Sequence, residues 1–166
     1  MIHGIVLGGG GLLAVAAALF AMIAMRTPAA TDAAAAQSRY LAWLLVAAAL
    51  LLWAAVIVGT YVSFPPYRAT PPEGLTELSA YPRALIRSNP GTVWLHSFAM
   101  ESKEHMPWIA AMLATGVAFV AVRYRAQLLS DSRLRRISVS MLTFILVLVA
   151  GVSFLGILIN KVAPLE

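Results

Sequence analysis

The stretch LAWLLVAAALLLWAAVIVGTYV, Leu41 to Val62, contains no charged residue and no proline. A helix rising about 1.5 Å per residue carries such a run across about 30 Å, the thickness of a bilayer's hydrocarbon core. The apolar residues are continuous rather than alternating, so a membrane-crossing strand, with its roughly ten-residue alternating pattern, is the wrong reading. Three further runs share this character: IVLGGGGLLAVAAALFAMIAM (Ile5 to Met25), PWIAAMLATGVAFVAV (Pro107 to Val122) and ISVSMLTFILVLVAGVSFLGILI (Ile137 to Ile159). The expectation is an all-α polytopic membrane protein, a four-helix transmembrane bundle. Its spans should lie near 4–25, 41–62, 106–125 and 137–160, in one membrane domain over 1–166, with a partly helical extracytoplasmic loop at 63–105.

Composition agrees. Hydrophobic residues make up 61% of the chain and charged residues 11%, where a soluble domain carries about 25% charged. The first run resembles a signal peptide only superficially. A signal peptide has positive charge ahead of its apolar stretch, whereas MIH carries none and Arg26 follows the run, so a retained helix is expected. The net charge of +5 is not read as nucleic-acid affinity, because the basic residues gather where orientation is decided. The 3–4 loop RYRAQLLSDSRLRR holds Arg123, Arg125, Arg133, Arg135 and Arg136 against Asp131, and the 1–2 loop holds Arg26 and Arg39. By the positive-inside rule these loops face the cytoplasm. A bacterial inner-membrane protein with both termini and the 2–3 loop periplasmic is therefore expected. With no cysteine in the chain, any metal would have to be held by His, Met or carboxylate.

The 2–3 loop opens with FPPYRATPPEG (Phe64 to Gly74), whose proline pairs favour extended structure. LTELSAYPRALIRS (Leu75 to Ser88) has apolar residues at helical spacing, suggesting a surface helix broken near Pro82. SNPG (Ser88 to Gly91) reads as a turn, after which Thr92 is placed to cap a helix that runs into the third span. That span needs the extension. Its strictly apolar stretch is 16 residues, about 24 Å of helix, so Glu104, His105 and Met106 are drawn to the membrane boundary. In the first span, Gly4 and Gly8 with Gly10, Ala14 and Ala18 form a small-residue row suited to close helix contact.

The polar knot HSFAMESKEHMPW (His96 to Trp108) holds two of the three histidines. Glu101 and His105 are four apart and share a helical face, with Glu104 alongside; a carboxylate there would orient the imidazole for a proton or a metal. His96 and Met100 form a second such pair. His96 and His105 fall on nearly opposite faces, so the partner for His105 must come from another element. His3, at the matching end of the first span, is the first candidate for the second imidazole that axial ligation of a b-type haem requires. The expectation is haem ligation by a pair among His3, His96 and His105, with propionates near Arg83, Arg87 or Lys103. A quinone at the same face is a related possibility. Copper is the other chemistry these groups offer, with His96, Met100, Glu101 and His105 as the ligand set and Met106 beside it. The plainest alternative is a solvated helix end, where Glu101, Lys103 and Glu104 form local ion pairs.

No span contains an ionisable residue in its interior, which argues against a pump or a charge-selective channel. The functional expectation is a non-catalytic subunit of a larger respiratory or photosynthetic electron-transfer complex, partnered by other membrane subunits and the lipid bilayer. A standalone copper-handling or small-solute permeation protein is the alternative.

Overall fold

The structure, a computed structural model, describes residues 3–25 and 32–164, except for the side chain of His3. Every regular element among them is helical. Four helices are long and apolar enough to cross a membrane: α1 (Gly4–Ala24), α2 (Asp32–Arg68), α4 (Leu95–Arg123) and α6 (Ser132–Val162). Two short helices complete the chain, α3 (Pro82–Ser88) in the 2–3 loop and α5 (Arg125–Ser130) in the 3–4 loop.

Adjacency around the bundle follows chain order. α1 packs on α2, α2 on α4, α4 on α6, and α6 closes onto α1, which leaves α1 and α4 diagonal to each other. Small side chains explain the close α2–α4 seam: Ala48 and Ala49 on one helix, with Ala110, Ala111, Ala114 and Ala118 on the other, are all buried. In lipid, where burying apolar surface gives little net drive, such close backbone approach supplies the packing contacts that hold helices together. The seam is fixed by Trp53, whose indole N–H donates to Thr115 Oγ1 at 2.9 Å while its ring meets Trp108 edge-on at 5.7 Å. Large apolar side chains such as Phe20, Trp43, Leu50, Phe119 and Phe154 point outward, as a lipid-facing surface requires.

The spans are longer than their apolar runs. α4 begins at Leu95 and extends 29 residues, about 43 Å at 1.5 Å per residue, so the knot is helical throughout. Three stretches, His3–Gly8, Gly59–Ser63 and Leu95–Met100, have π geometry. A π turn adds a residue to the turn and rotates everything beyond it by about 100° relative to an unbroken α-helix. All three lie at the bundle end that carries the 2–3 loop.

Several local expectations are corrected. FPPYR is helical rather than extended: Pro65 and Pro66 stand at the start of the segment Phe64–Arg68, directly after the π turn Gly59–Ser63, and their fixed φ near about −65° suits helical backbone. Pro82 starts α3 instead of breaking it, and Leu75–Tyr81 lies outside any helix. Thr92 does not cap α4; its hydroxyl donates to the carbonyls of Ile86 and Asn89 at 2.8 and 3.2 Å, and Asn89 organises the turn by accepting from Gly91 N–H at 2.8 Å. The tightest glycine contact of α1 is at Gly11, where an added Cβ would lie 3.0 Å from Leu52 Cδ2; at Gly4 it would meet nothing within 4 Å.

Candidate functional site at the loop end of the bundle

A second apolar cluster, separate from the bundle core, closes the loop end. Tyr67, Ile86, Leu95, Ala99, Met100, Ile159 and Ala163 are buried together, with Phe64, Leu85, Leu155 and Leu158 packed around them. It exists because α2 continues past its prolines far enough to lay Tyr67 across the first turn of α4, and α3 closes over the top with Ile86.

Tyr67 is the centre of this cluster and the residue the sequence reading missed. It is 1% exposed, and its hydroxyl lies 3.0 Å from His96 Nδ1. Phe64 stacks on the Tyr67 ring at 5.9 Å, and the Arg68 guanidinium lies 4.5 Å from the Phe64 centroid. Arg83, Arg87, Glu101 and Glu104 are all close enough to Tyr67 for their charges to act on it. His96 is half-buried, and with Nδ1 committed to Tyr67 its Nε2 is the nitrogen left to meet a ligand. The π turn that carries His96 lets the imidazole face Tyr67.

Arg83 has a distinctive place here. Its Nε is buried and, among the described residues, is the one buried side-chain nitrogen or oxygen with no hydrogen-bond partner. Leaving such a donor unpaired costs about 1–3 kcal/mol, more when it carries charge. α3, which holds Arg83, touches the bundle through the end of α2 and the first turn of α4. Its guanidinium is close enough to His96 for its charge to act on the imidazole.

His105 is arranged differently. Its Nδ1 lies 2.8 Å from the backbone oxygen of Glu101. A carbonyl only accepts, so Nδ1 carries the proton and Nε2 of the neutral ring carries the lone pair. The partner is the Glu101 main chain rather than the expected carboxylate. The ring is exposed on the outer surface of α4, turned away from the bundle.

The chain matches no protein-family model, no curated protein and no solved structure. The site must therefore be read from its own residues. Arg83, Arg87 and His96 are brought into one neighbourhood. His105 is not part of it, and the π turn reduces the angular separation of the two histidines without removing the nine residues of rise between them. His3's side chain lies outside the described residues, and its helix is diagonal to that of His105, not its neighbour as the haem pairing assumed. The copper set is not gathered either. His96 faces Tyr67, Met100 is buried in the apolar cluster, and Glu101 and His105 are exposed; no group of three or more His, Asp or Glu suited to a metal occurs among the described residues. The expected ion pairs of Glu101, Lys103 and Glu104 are not formed among the described residues. Lys103 instead lies over Gly156 of α6, its Nζ 3.2 Å from where a Cβ would stand.

Proposed function

We propose that the chain is a non-catalytic membrane subunit of an electron-transfer assembly, oriented with its 2–3 loop on the periplasmic side, and that its loop end binds a quinone headgroup. The observation that carries this reading is the unpaired buried donor of Arg83 beside the Tyr67–His96 hydrogen bond. A quinone ring is flat and apolar with carbonyl oxygens that only accept, so a site for it needs donors at the membrane boundary and aromatic surface nearby. Arg83 Nε–H and the His96 imidazole supply the donors. Phe64 supplies ring surface, and the exposed Trp94 and Phe98 of the same turn offer an apolar approach from lipid. A bound quinone supplies two-electron, two-proton carriage within the membrane. The protein's part is to orient the ring through Arg83 and His96, and to hold a proton at the Tyr67–His96 pair where the membrane meets water. The dense arginines of the 3–4 loop support the orientation through the positive-inside rule.

A second reading, a haem held between this subunit and a neighbour, draws on His105. An imidazole that donates one N–H to a backbone carbonyl and presents the other nitrogen outward is poised as a metal ligand, and its outward aim calls for the second axial ligand to come from a partner chain.

The two are separated on the assembly purified in mild detergent. Solvent extraction should return about one quinone per chain, lost in His96→Ala and Arg83→Met while the helical circular dichroism is kept. A reducible Soret band lost in His105→Ala would favour the second reading. Quinone content that is unchanged in both loop-end variants would refute the first.

A further inference from the structure

At the opposite end of the bundle, an open groove of about 490 Å³ runs between the start of α2 and α5, lined by Asp32, Ala35, Ser38, Arg39, Arg125, Ala126 and Leu129. Its size falls within the roughly 300–1,000 Å³ of small-molecule sites. Arg39 and Arg125 come from helices far apart in sequence yet converge on one cleft, and neither has an ion-pair partner among the described residues. Two arginines lining one cleft gather positive charge there, which an anion would offset. Asp32 lines the cleft without pairing to either.

The groove's height in the membrane is fixed by the sequence. Arg39 stands two residues before the apolar run that begins at Leu41, and Arg125 stands three after the one that ends at Val122. Tyr40 and Tyr124, both exposed, mark the same level, since tyrosines at span ends settle among lipid headgroups. Ala35, Ala126 and Leu129 give the lining its apolar surface, and the buried Ser38 donates its hydroxyl to the Ala35 carbonyl at 2.9 Å.

We infer that this groove is a phospholipid site, in which Arg39 and Arg125 hold the phosphodiester of an ethanolamine headgroup and Asp32 receives its ammonium. Planar guanidinium groups match phosphate oxygens geometrically, and the carboxylate distinguishes a headgroup bearing a primary amine from a purely anionic one. The apolar part of the lining takes the glycerol and first methylenes. This site is independent of the one at the loop end.

The test uses the full chain, purified and stripped of lipid, with its thermal midpoint followed by tryptophan fluorescence. Short-chain phosphatidylethanolamine, short-chain phosphatidylglycerol and inorganic phosphate are titrated separately. Protection should be strongest with the ethanolamine lipid, weaker with the glycerol lipid and weakest with inorganic phosphate. The double variant Arg39→Gln, Arg125→Gln should weaken the apparent affinity for either lipid about tenfold or more, as expected for losing charge-assisted bonds. Asp32→Asn should erase or reverse the preference for the ethanolamine lipid while leaving affinity for the glycerol lipid intact or improved. Equal protection by both lipids in the parent chain, protection by phosphate equal to that by lipid, or a double variant that binds as the parent does would each overturn the proposal.

Discussion

Trp53 offers the sharpest test of how the second and third spans meet, because it makes two separable contacts. Its N–H donates to Thr115 Oγ1 at 2.9 Å, and Thr115 in turn donates to the Ala111 carbonyl at 2.8 Å, so the threonine oxygen is already aimed. Its ring meets Trp108 at 5.7 Å with an interplanar angle of 82°. Hydrogen bonds between membrane helices average about 0.6 kcal/mol in double-mutant cycles and reach about 1.7, while an edge-to-face aromatic pair contributes about 0.5–1.5 kcal/mol. Trp53→Phe should therefore cost about 0.6 kcal/mol, and Trp53→Ala, which loses both contacts, about 1–2 kcal/mol. In a cycle of Trp53→Phe with Thr115→Val the double variant should be less destabilised than the sum of the singles by about 0.6 kcal/mol. Reversible unfolding in mixed micelles, followed by circular dichroism, reads these differences. Strict additivity of the two substitutions would show that the indole and the hydroxyl do not meet, and the packing of α2 on α4 in this register would have to be abandoned.

Glycines provide a contrast set in the same assay. Gly116→Ala and Gly151→Ala place a methyl where nothing lies within 4 Å and should be neutral or stabilising by up to about 1 kcal/mol. Gly11→Val drives a branched side chain toward Leu52 and should cost about 1–3 kcal/mol. Asp131 caps α6 by accepting from the N–H groups of Arg133 and Leu134 at 2.7 and 3.3 Å; Asp131→Ala should cost about 1 kcal/mol, seen as faster amide exchange in the first turn of that helix. In the loop, the Ser79 N–H donates to Glu77 at 3.0 Å and holds that carboxyl below the usual carboxylate range. This contact is present above the ordinary glutamate pKa and is lost as pH falls through the lowered one, so the Ser79 amide resonance should titrate with a midpoint below that of a free glutamate side chain.

The bundle was legible because span length and continuity are set by the bilayer. The run from Leu41 to Val62 admits one structure, and the other three runs follow it. The site was less legible because its geometry depends on backbone irregularities that leave no residue signature. A π turn at Leu95–Met100 decides where His96 points, and another at Gly59–Ser63 leads into the helical segment that holds Pro65 and Pro66 and carries Tyr67 into the cluster. A tyrosine one turn beyond a long apolar run was the available clue, overshadowed by the proline pair before it. Arg83 and Arg87 were expected as partners of propionates, and the structure places them close enough to Tyr67 and His96 for their charges to act there. Their helix was expected to be broken at Pro82, and it is the proline at its start that sets where Arg83 stands. Lys103 could not have been placed from sequence, since its contact is with Gly156, more than fifty residues away.

The proposed quinone site stands or falls with Arg83 as a donor beside His96. In nanodiscs, titration with a water-soluble short-chain quinone should quench tryptophan fluorescence saturably, with Trp94 two residues from His96 as reporter. Losing a hydrogen bond from a charged group, about 1.5–3 kcal/mol, should weaken that binding about 10- to 100-fold in Arg83→Met. Quenching that rises linearly without saturation in the parent chain, or saturates at the same concentration in the variant, would contradict the account.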